Sequence, residues 1–174
     1  MAEDVSAWSE AAYTVLKRQN VRQIAFVPDA GHTAMINRAL ADNDVQASVL
    51  TTEEEGIGLL AGAWLGGDRG VLLMQSSGVG NCINMLSLTD ACRFPLLMLV
   101  TMRGEWAEFN PWQIPMSKAT EPAFKLMGVT TYRVENPDEV AGTVDAAAGM
   151  AFSGDQAVAV LLGQRLIGKK EWTK

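Results

Sequence analysis

Two hydrophobic periods alternate along this chain, and their order predicts its elements. Apolar residues recur with helical spacing over Val5–Arg18, followed by an apolar strand over Gln23–Val27 that stops at Pro28. His32–Ala41 reads as a helix and Ala47–Leu50 as a short strand. Glu53–Leu65 is helical and ends at Gly66-Gly67, a natural C-terminal stop. The run GVLLMQ, Gly70–Gln75, is continuously apolar up to its last residue, as expected of a strand buried on both faces. Asn81–Arg93 looks helical, and Pro95–Thr101 reads as a second buried strand. Met102–Lys118 breaks the rhythm, being polar and aromatic with Pro111 and Pro115. A short helix over Thr120–Met127 follows, with Pro122 tolerable in its first turn. Thr130–Val134 then reads as a strand, Pro137–Phe152 as a helix and Ala157–Leu162 as the last strand.

Six strands separated by helices imply an α/β fold: a doubly wound, mostly parallel sheet with helices on both faces. The 174 residues contain no repeat, low-complexity tract or charged linker, so residues 1–174 are expected to form a single domain. Such sheets bind ligands outside the carboxyl ends of their strands, which directs attention to the loops there.

Charge narrows the function classes. The formal charge is −6, and the basic residues are scattered, with adjacent pairs only at Lys17-Arg18 and Lys169-Lys170. A chain without a basic patch is a poor binder of nucleic acid. No stretch is long and apolar enough to cross a bilayer as a helix. The acidic start, MAEDVSAWSE, has no signal-like core, so a cytoplasmic location is expected. Charged residues make up 20%, somewhat below the usual quarter, which fits a surface partly covered by other subunits. Cys82 and Cys92 lack metal-ligand spacing, and with one histidine in the chain no metal site is expected. Both cysteines read as reduced, buried thiols.

Three loops can carry chemistry. Thr51-Thr52-Glu53-Glu54-Glu55-Gly56 offers two capping boxes, Thr52 with Glu55 or Thr51 with Glu54, and acids suit a first helical turn. Three consecutive acids nonetheless exceed what a cap needs. Ile57, Gly58 and Ala61 follow Glu54 at helical spacing, so Glu54 is expected to head an apolar, small-residue face where its carboxyl group is partly desolvated. Gln75-Ser76-Ser77-Gly78-Val79-Gly80-Asn81 follows the most buried strand. Ile83 is too bulky for the third small position of a dinucleotide fingerprint, and no P-loop lysine is present. What remains is a turn rich in hydroxyls and glycine, offering backbone N–H groups at a helix start. The third loop holds Arg103, Trp106, Trp112 and Gln113. Its tryptophans cover an active site, face another subunit or roof the core. His32 and Asp29, in VPDAGHTAM after the first strand, are candidates for substrate contact or proton transfer, with a plain helix start as the alternative for His32.

Together these loops resemble the pyrimidine domain of thiamine diphosphate enzymes. Members carry a glutamate heading a small-residue helix, in the style E-x-G-A-x-x-A-A-x-G-Y. Laid without gaps from Glu54 the chain reads EEGIGLLAGAW, where Gly56 and Ala61 match and Trp64 stands for the tyrosine. Starting one residue earlier matches Gly62 to the glycine but loses Gly56. The turn MQSSGVGN, Met74–Asn81, resembles the MQ-x-SG-x-GN turn of phosphonopyruvate and sulfopyruvate decarboxylases. VPD at Asp29 and the later RGE and PWQIPM, with Arg103, Gly104, Gln113, Pro115 and Met116, are also similar to sulfopyruvate decarboxylase. The resemblance covers nearly the whole chain.

It implies that Glu54 hydrogen-bonds N1′ of the cofactor's aminopyrimidine, favouring the tautomer whose 4′-nitrogen deprotonates the thiazolium carbon; that carbon attacks the ketone of a 2-oxo acid, and the ring acts as electron sink while carbon dioxide leaves. Gln75, Ser76, Ser77, Gly78 and Asn81 would line the cofactor, and Asp29, His32, Arg103 and Gln113 the substrate. The family's diphosphate half, marked by GDG and a spaced asparagine, has no counterpart here, because Arg69 interrupts GGDRG at Gly66–Gly70. The resemblance therefore implies a hetero-oligomer. A separate beta subunit would hold the diphosphate and Mg2+, and this alpha subunit would pair with a second copy through helices 54–65 and 81–93. The leading expectation is decarboxylation of a sulfopyruvate-like 2-oxo acid. Carboligation, an aryl 2-oxo acid, and a non-catalytic nucleotide-binding or scaffold module remain alternatives.

Overall fold

A computed structural model describes residues 2–168 of the chain. The Lys169-Lys170 pair lies outside them. The elements run α1 (Ala2–Arg18), β1 (Val21–Phe26), a 3-10 turn (Ala30–His32), α2 (Thr33–Ala41), β2 (Gln46–Val49), α3 (Glu53–Leu65) and β3 (Arg69–Gln75). A second 3-10 turn (Ser76–Gly78), α4 (Val79–Cys82), α5 (Ser87–Cys92), β4 (Leu96–Thr101) and α6 (Gln113–Leu126) follow. The chain then forms β5 (Thr130–Val134), α7 (Pro137–Gly154), β6 (Ala157–Leu162) and the single turn α8 (Gln164–Ile167).

The six strands form one sheet of order β2-β1-β3-β4-β6-β5, and every neighbouring pair is parallel. Alternation along each strand sends side chains to two cores. Ile24, Phe26, Val71, Leu73, Leu97 and Leu99 join Trp8, Val140 and Val144 on one face. Ala25, Leu72, Met74, Met98 and Val100 join Ile57, Leu60 and Phe124 on the other. Burying one such aliphatic side chain contributes about 1.5–3 kcal/mol, so the central strands are the rigid base of whatever their carboxyl ends carry.

The predicted elements are present, with three differences. The helix expected over Asn81–Arg93 is two short ones, α4 and α5, separated by a turn over 83–86. Arg93, in left-handed backbone (φ 51°), ends the second. The short helix expected over Thr120–Met127 starts seven residues earlier, at Gln113, so Pro115 occupies its first turn and Pro122 its interior. Burial of Ser117, Thr120 and Phe124 along one side holds this helix despite the backbone donor that Pro122 lacks. Finally, Cys82 is buried but Cys92 is exposed, unlike the buried pair expected.

The sheet order defines a crevice. From β1 the chain first moves outward to β2 and then crosses back to β3 on the other side, so the exits of β1 and β3 diverge at a topological switch point. The loops after β1, β3 and β4 meet there.

Candidate active site

Helix α3 leaves β2 and lies over β1 and β3. Two glycines permit this close approach. A Cβ on Gly56 would stand 2.5 Å from Leu72 Cδ1 and 2.9 Å from Leu50 Cδ1, and one on Gly70 would strike Leu60 Cδ2. The packing seats Glu53, the first residue of α3, against the turn after β3. Gly78 of that turn has no room for a side chain, because a Cβ there would overlap the Glu53 carboxyl group and lie 2.5 Å from its Cγ. Glu53 is only 8% exposed. Its Oε2 accepts a hydrogen bond from Asn81 Nδ2 at 2.8 Å.

The three consecutive acids are thus separated by helical geometry. Glu53, Gly56, Ile57 and Leu60 form the buried face of α3. The face expected behind Glu54 is mixed: Ile57 is buried, Ala61 is half-buried against the core and Gly58 is exposed, while Glu54 itself is half-buried. Glu54 does keep one oxygen, Oε2, shielded from water and without a hydrogen-bond partner among the described residues. Glu55 is exposed and its Oε2 accepts the Thr51 N–H at 2.8 Å. Neither expected capping box forms, since the Thr52 side chain caps nothing. Cys82 lies beside both inner carboxylates. Burial, reinforced by the charges of Glu53 and Glu54, pushes its thiol up to about 12, so it stays protonated.

A second polar group spans the exits of three strands. Asp29 Oδ1 accepts from Gln75 Nε2 at 2.9 Å. Its Oδ2 accepts from Thr101 Oγ1 at 2.7 Å and from the Gly31 N–H at 3.1 Å. Ser77 Oγ donates to Gln75 Oε1 at 2.8 Å. Asp29, expected at the substrate, is therefore bonded to the protein's own donors. Ser76 is fully buried and its Oγ accepts the Arg103 N–H at 3.1 Å, tying the β3 turn to the β4 exit.

His32 is held inside the fold. It is fully buried, and its Nε2 lies 3.0 Å from the Leu99 carbonyl. Burial pulls its pKa below the ordinary 6.5, against the opposing pull of Asp29 and of the Leu99 and Met74 carbonyls. The neutral ring donates to Leu99 and leaves Nδ1 unpartnered among the described residues.

Arg103 is likewise engaged elsewhere. Its Nε and one NH2 group form a two-pronged pair with Glu108 at 2.8 and 2.7 Å, with both side chains buried. Glu108 also accepts from the Gly104 and Asn110 N–H groups and from Gln164 Nε2. Burial alone would raise the Glu108 pKa. The Arg103 hydrogen bonds and these further donors overcome it and hold Glu108 at about 2. Gln164 Oε1 in turn accepts the Glu105 and Trp106 N–H groups, so the loop of residues 103–110 is fastened to the β6 exit. Gln113, at the start of α6, is half-buried, and its Oε1 has no partner among the described residues. Trp112 is 83% exposed and Trp106 is also exposed, so neither roofs this chain's core. An open, mainly apolar cavity of about 690 Å³ lies between Ser77 and Pro111, Trp112, Pro115, Met116 and Ala119.

The structure therefore brings Glu53, Glu54, Gln75, Ser76, Ser77, Gly78 and Asn81 into one neighbourhood with Asp29, while His32 is bonded to the Leu99 carbonyl and Arg103 to Glu108. Thr101, Glu108 and Gln164 were not singled out in the sequence. Thr101 had a usable signal, as the polar residue ending a buried strand. The other two carry none, because their roles depend on loop folding.

An all-parallel sheet with a desolvated carboxylate pressed under a glycine turn at its carboxyl edge marks an α/β ligand-binding domain. Residues 7–115 match the family described as thiamine pyrophosphate enzyme, N-terminal TPP binding domain, and the chain belongs to that family. It is similar to the sulfopyruvate decarboxylase subunit alpha of Methanococcus maripaludis, at 35% identity over 88% of this chain and 93% of that one. The Methanocaldococcus jannaschii protein of the same name is 33% identical over 88% of this chain and 91% of its own. A phosphonopyruvate decarboxylase of Streptomyces hygroscopicus is 34% identical over 72% of this chain, which spans 32% of that longer protein. Among solved structures, a 2-oxoglutarate:ferredoxin oxidoreductase from Magnetococcus marinus superimposes with a TM-score of 0.76. The match covers 92% of this chain and 29% of that one at 15% identity, which is a likeness of fold.

Proposed function

We propose that this chain is the pyrimidine-binding alpha subunit of a two-chain, thiamine diphosphate-dependent decarboxylase acting on a 2-oxo acid of the sulfopyruvate type. The observation that carries the reading is the Glu53 carboxylate, desolvated at the head of α3, held on one side by Asn81 and covered by Gly78. The residues fit the cofactor's aminopyrimidine. Gly78 leaves the turn bare of a side chain, Glu53 Oε1 makes no hydrogen bond within the described residues, and Glu54 Oε2 lacks a donor.

When bound, thiamine diphosphate supplies the carbon nucleophile and electron sink for decarboxylation. The chain's own part is narrower. Glu53 meets the pyrimidine nitrogen with a hydrogen bond. Asn81 fixes its orientation. We assign this role to Glu53, whose carboxyl group meets Gly78 and Asn81 of the β3 turn; Glu54, which the motif alignment favours and whose shielded Oε2 has no partner among the described residues, is the alternative. Glu54 Oε2 then receives its donor from the neighbouring chain. The diphosphate and Mg2+ belong to a separately encoded beta subunit, and the exposed Trp106 and Trp112 face that subunit or the substrate it helps to enclose.

A second reading keeps the cofactor and changes the substrate. The apolar cavity beside Ser77 suits an aryl 2-oxo acid, and Arg103 is already paired with Glu108. The test is to mix this chain with a partner bearing GDG and the spaced asparagine, thiamine diphosphate and Mg2+, and to follow carbon dioxide release. Release from sulfopyruvate that requires both chains and the cofactor supports the leading reading. Preference for an aryl 2-oxo acid supports the second, and activity without the cofactor contradicts both.

A further inference from the structure

Asp29 lies outside the chemistry assigned to Glu53, yet it organises the exits of β1, β3 and β4. We propose that Asp29 is a positioning residue that makes the Ser77 hydroxyl an acceptor, and not a donor, toward the bound ligand. This rests on the reading that the β3 turn lines a ligand.

The argument is one of hydrogen-bond polarity. A carboxylate accepts only, so Gln75 must turn its NH2 group, and not its carbonyl, toward Asp29 Oδ1. The Gln75 carbonyl then points at Ser77 and takes the hydroxyl proton. A serine hydroxyl has one proton, and it is now directed inward. Ser77 is only half-buried and borders the open cavity, so what remains available on Oγ is lone-pair density. The ligand group that fits is an N–H or O–H donor. The amino group of a heteroaromatic ring and a hydroxyl on a substrate share this chemistry.

The competing explanation is that Asp29 only ties strand ends together, through Thr101 and the Gly31 N–H. Asp29→Asn separates the two. Asparagine has the same shape, and its carbonyl can still accept from Thr101 and Gly31 while its NH2 faces Gln75. The Gln75 amide must then flip, donate to Ser77, and force the Ser77 proton outward. No hydrogen bond of the strand edge is lost, but the polarity presented to the ligand is reversed. A tie between strands is indifferent to this change.

Two measurements decide. In the free chain, nuclear Overhauser contacts of the Gln75 side-chain NH2 protons are expected on the Asp29 side in the wild type and on the Ser77 side in Asp29→Asn. In the assembled two-chain complex, thiamine diphosphate affinity is measured by calorimetry and kcat/KM with a 2-oxo acid, for Asp29→Asn, Ser77→Ala and the double variant. A mismatched buried hydrogen bond predicts a loss of about ten- to a hundredfold for Asp29→Asn. A loss in cofactor affinity places the donor on the cofactor. A loss in kcat/KM at unchanged cofactor affinity places it on the substrate. In either case Asp29→Asn has no further effect once Ser77 is alanine. The proposal is overturned if the amide protons stay on the Asp29 side, if neither quantity changes, or if Asp29→Asn costs the same with and without Ser77. A wild-type complex indifferent to the cofactor defeats the functional reading instead, and the amide contacts still decide the polarity.

Discussion

Gly78 and Glu53 occupy one space: the carboxyl group of the glutamate fills the volume where any larger residue at 78 would put its Cβ. The obstruction is the end of a flexible side chain and not backbone, so Gly78→Ala should fold, with Glu53 pushed aside. The expected outcome is a destabilisation of about 1–3 kcal/mol, as for other overpacked contacts, and a loss of cofactor-dependent turnover of at least about tenfold in the folded protein. Circular-dichroism melting and a carbon dioxide assay on the same preparation check it. A variant that melts normally and turns over at the wild-type rate contradicts the contact's importance.

The glycines of α3 should behave oppositely. Gly56→Ala drives a methyl group into Leu72 and Leu50, and overpacking of this kind costs about 1–3 kcal/mol. Gly58→Ala meets open space in the middle of an exposed helical face and should stabilise the free chain by about 0.5–1 kcal/mol. Urea unfolding of both variants tests the pair. Equal effects would mean that α3 does not lie on β3 as described.

Glu108 is the loop's keystone. Its folded-state pKa of about 2 lies below the ordinary 4.5, so its stabilisation is fully present above about pH 4.5 and is lost as the pH falls toward 2. Glu108→Gln leaves the buried Arg103 guanidinium without its counter-charge, an arrangement that typically costs about 3–5 kcal/mol. The gap between wild type and Glu108→Gln should therefore be large at pH 7 and narrow in acid. A gap that does not depend on pH would contradict the pairing.

His32 gives a simple check because it is the chain's one histidine. Its buried ring should titrate below 6.5, followed by the C2 proton resonance. The unfolded chain takes up a proton at about 6.5 that the folded one resists, so this residue lowers stability as the pH falls below that value. A midpoint at or above 6.5 would place the ring in contact with water or an acid.

The sheet was legible in the sequence because its strands are apolar runs with clear stops, such as GVLLMQ and PLLMLVT. The tight turn at Gln75–Asn81 was legible for a related reason, since polar residues and glycines directly after an apolar run mark where the strand stops. What the sequence did not settle depends on rotation by single residues. Glu53 and Glu54 differ by 100° around α3, and only packing of Gly56 and Gly70 decides which one faces the turn. The extension of α6 back to Gln113 was hidden by Pro115, which reads as a breaker but sits in a first turn. Glu108, Gln164 and Arg103 converge across a loop whose path no local pattern encodes.

The central claim is that the first acid of α3 serves the cofactor, and conservative substitution of the two inner glutamates tests it most directly. Turnover of the assembled complex should fall by about a hundredfold or more in Glu53→Gln, in the range of a lost acid–base group, and by less than about tenfold in Glu54→Gln. Full activity in Glu53→Gln, with collapse in Glu54→Gln, would contradict the account and move the cofactor to the open side of the helix.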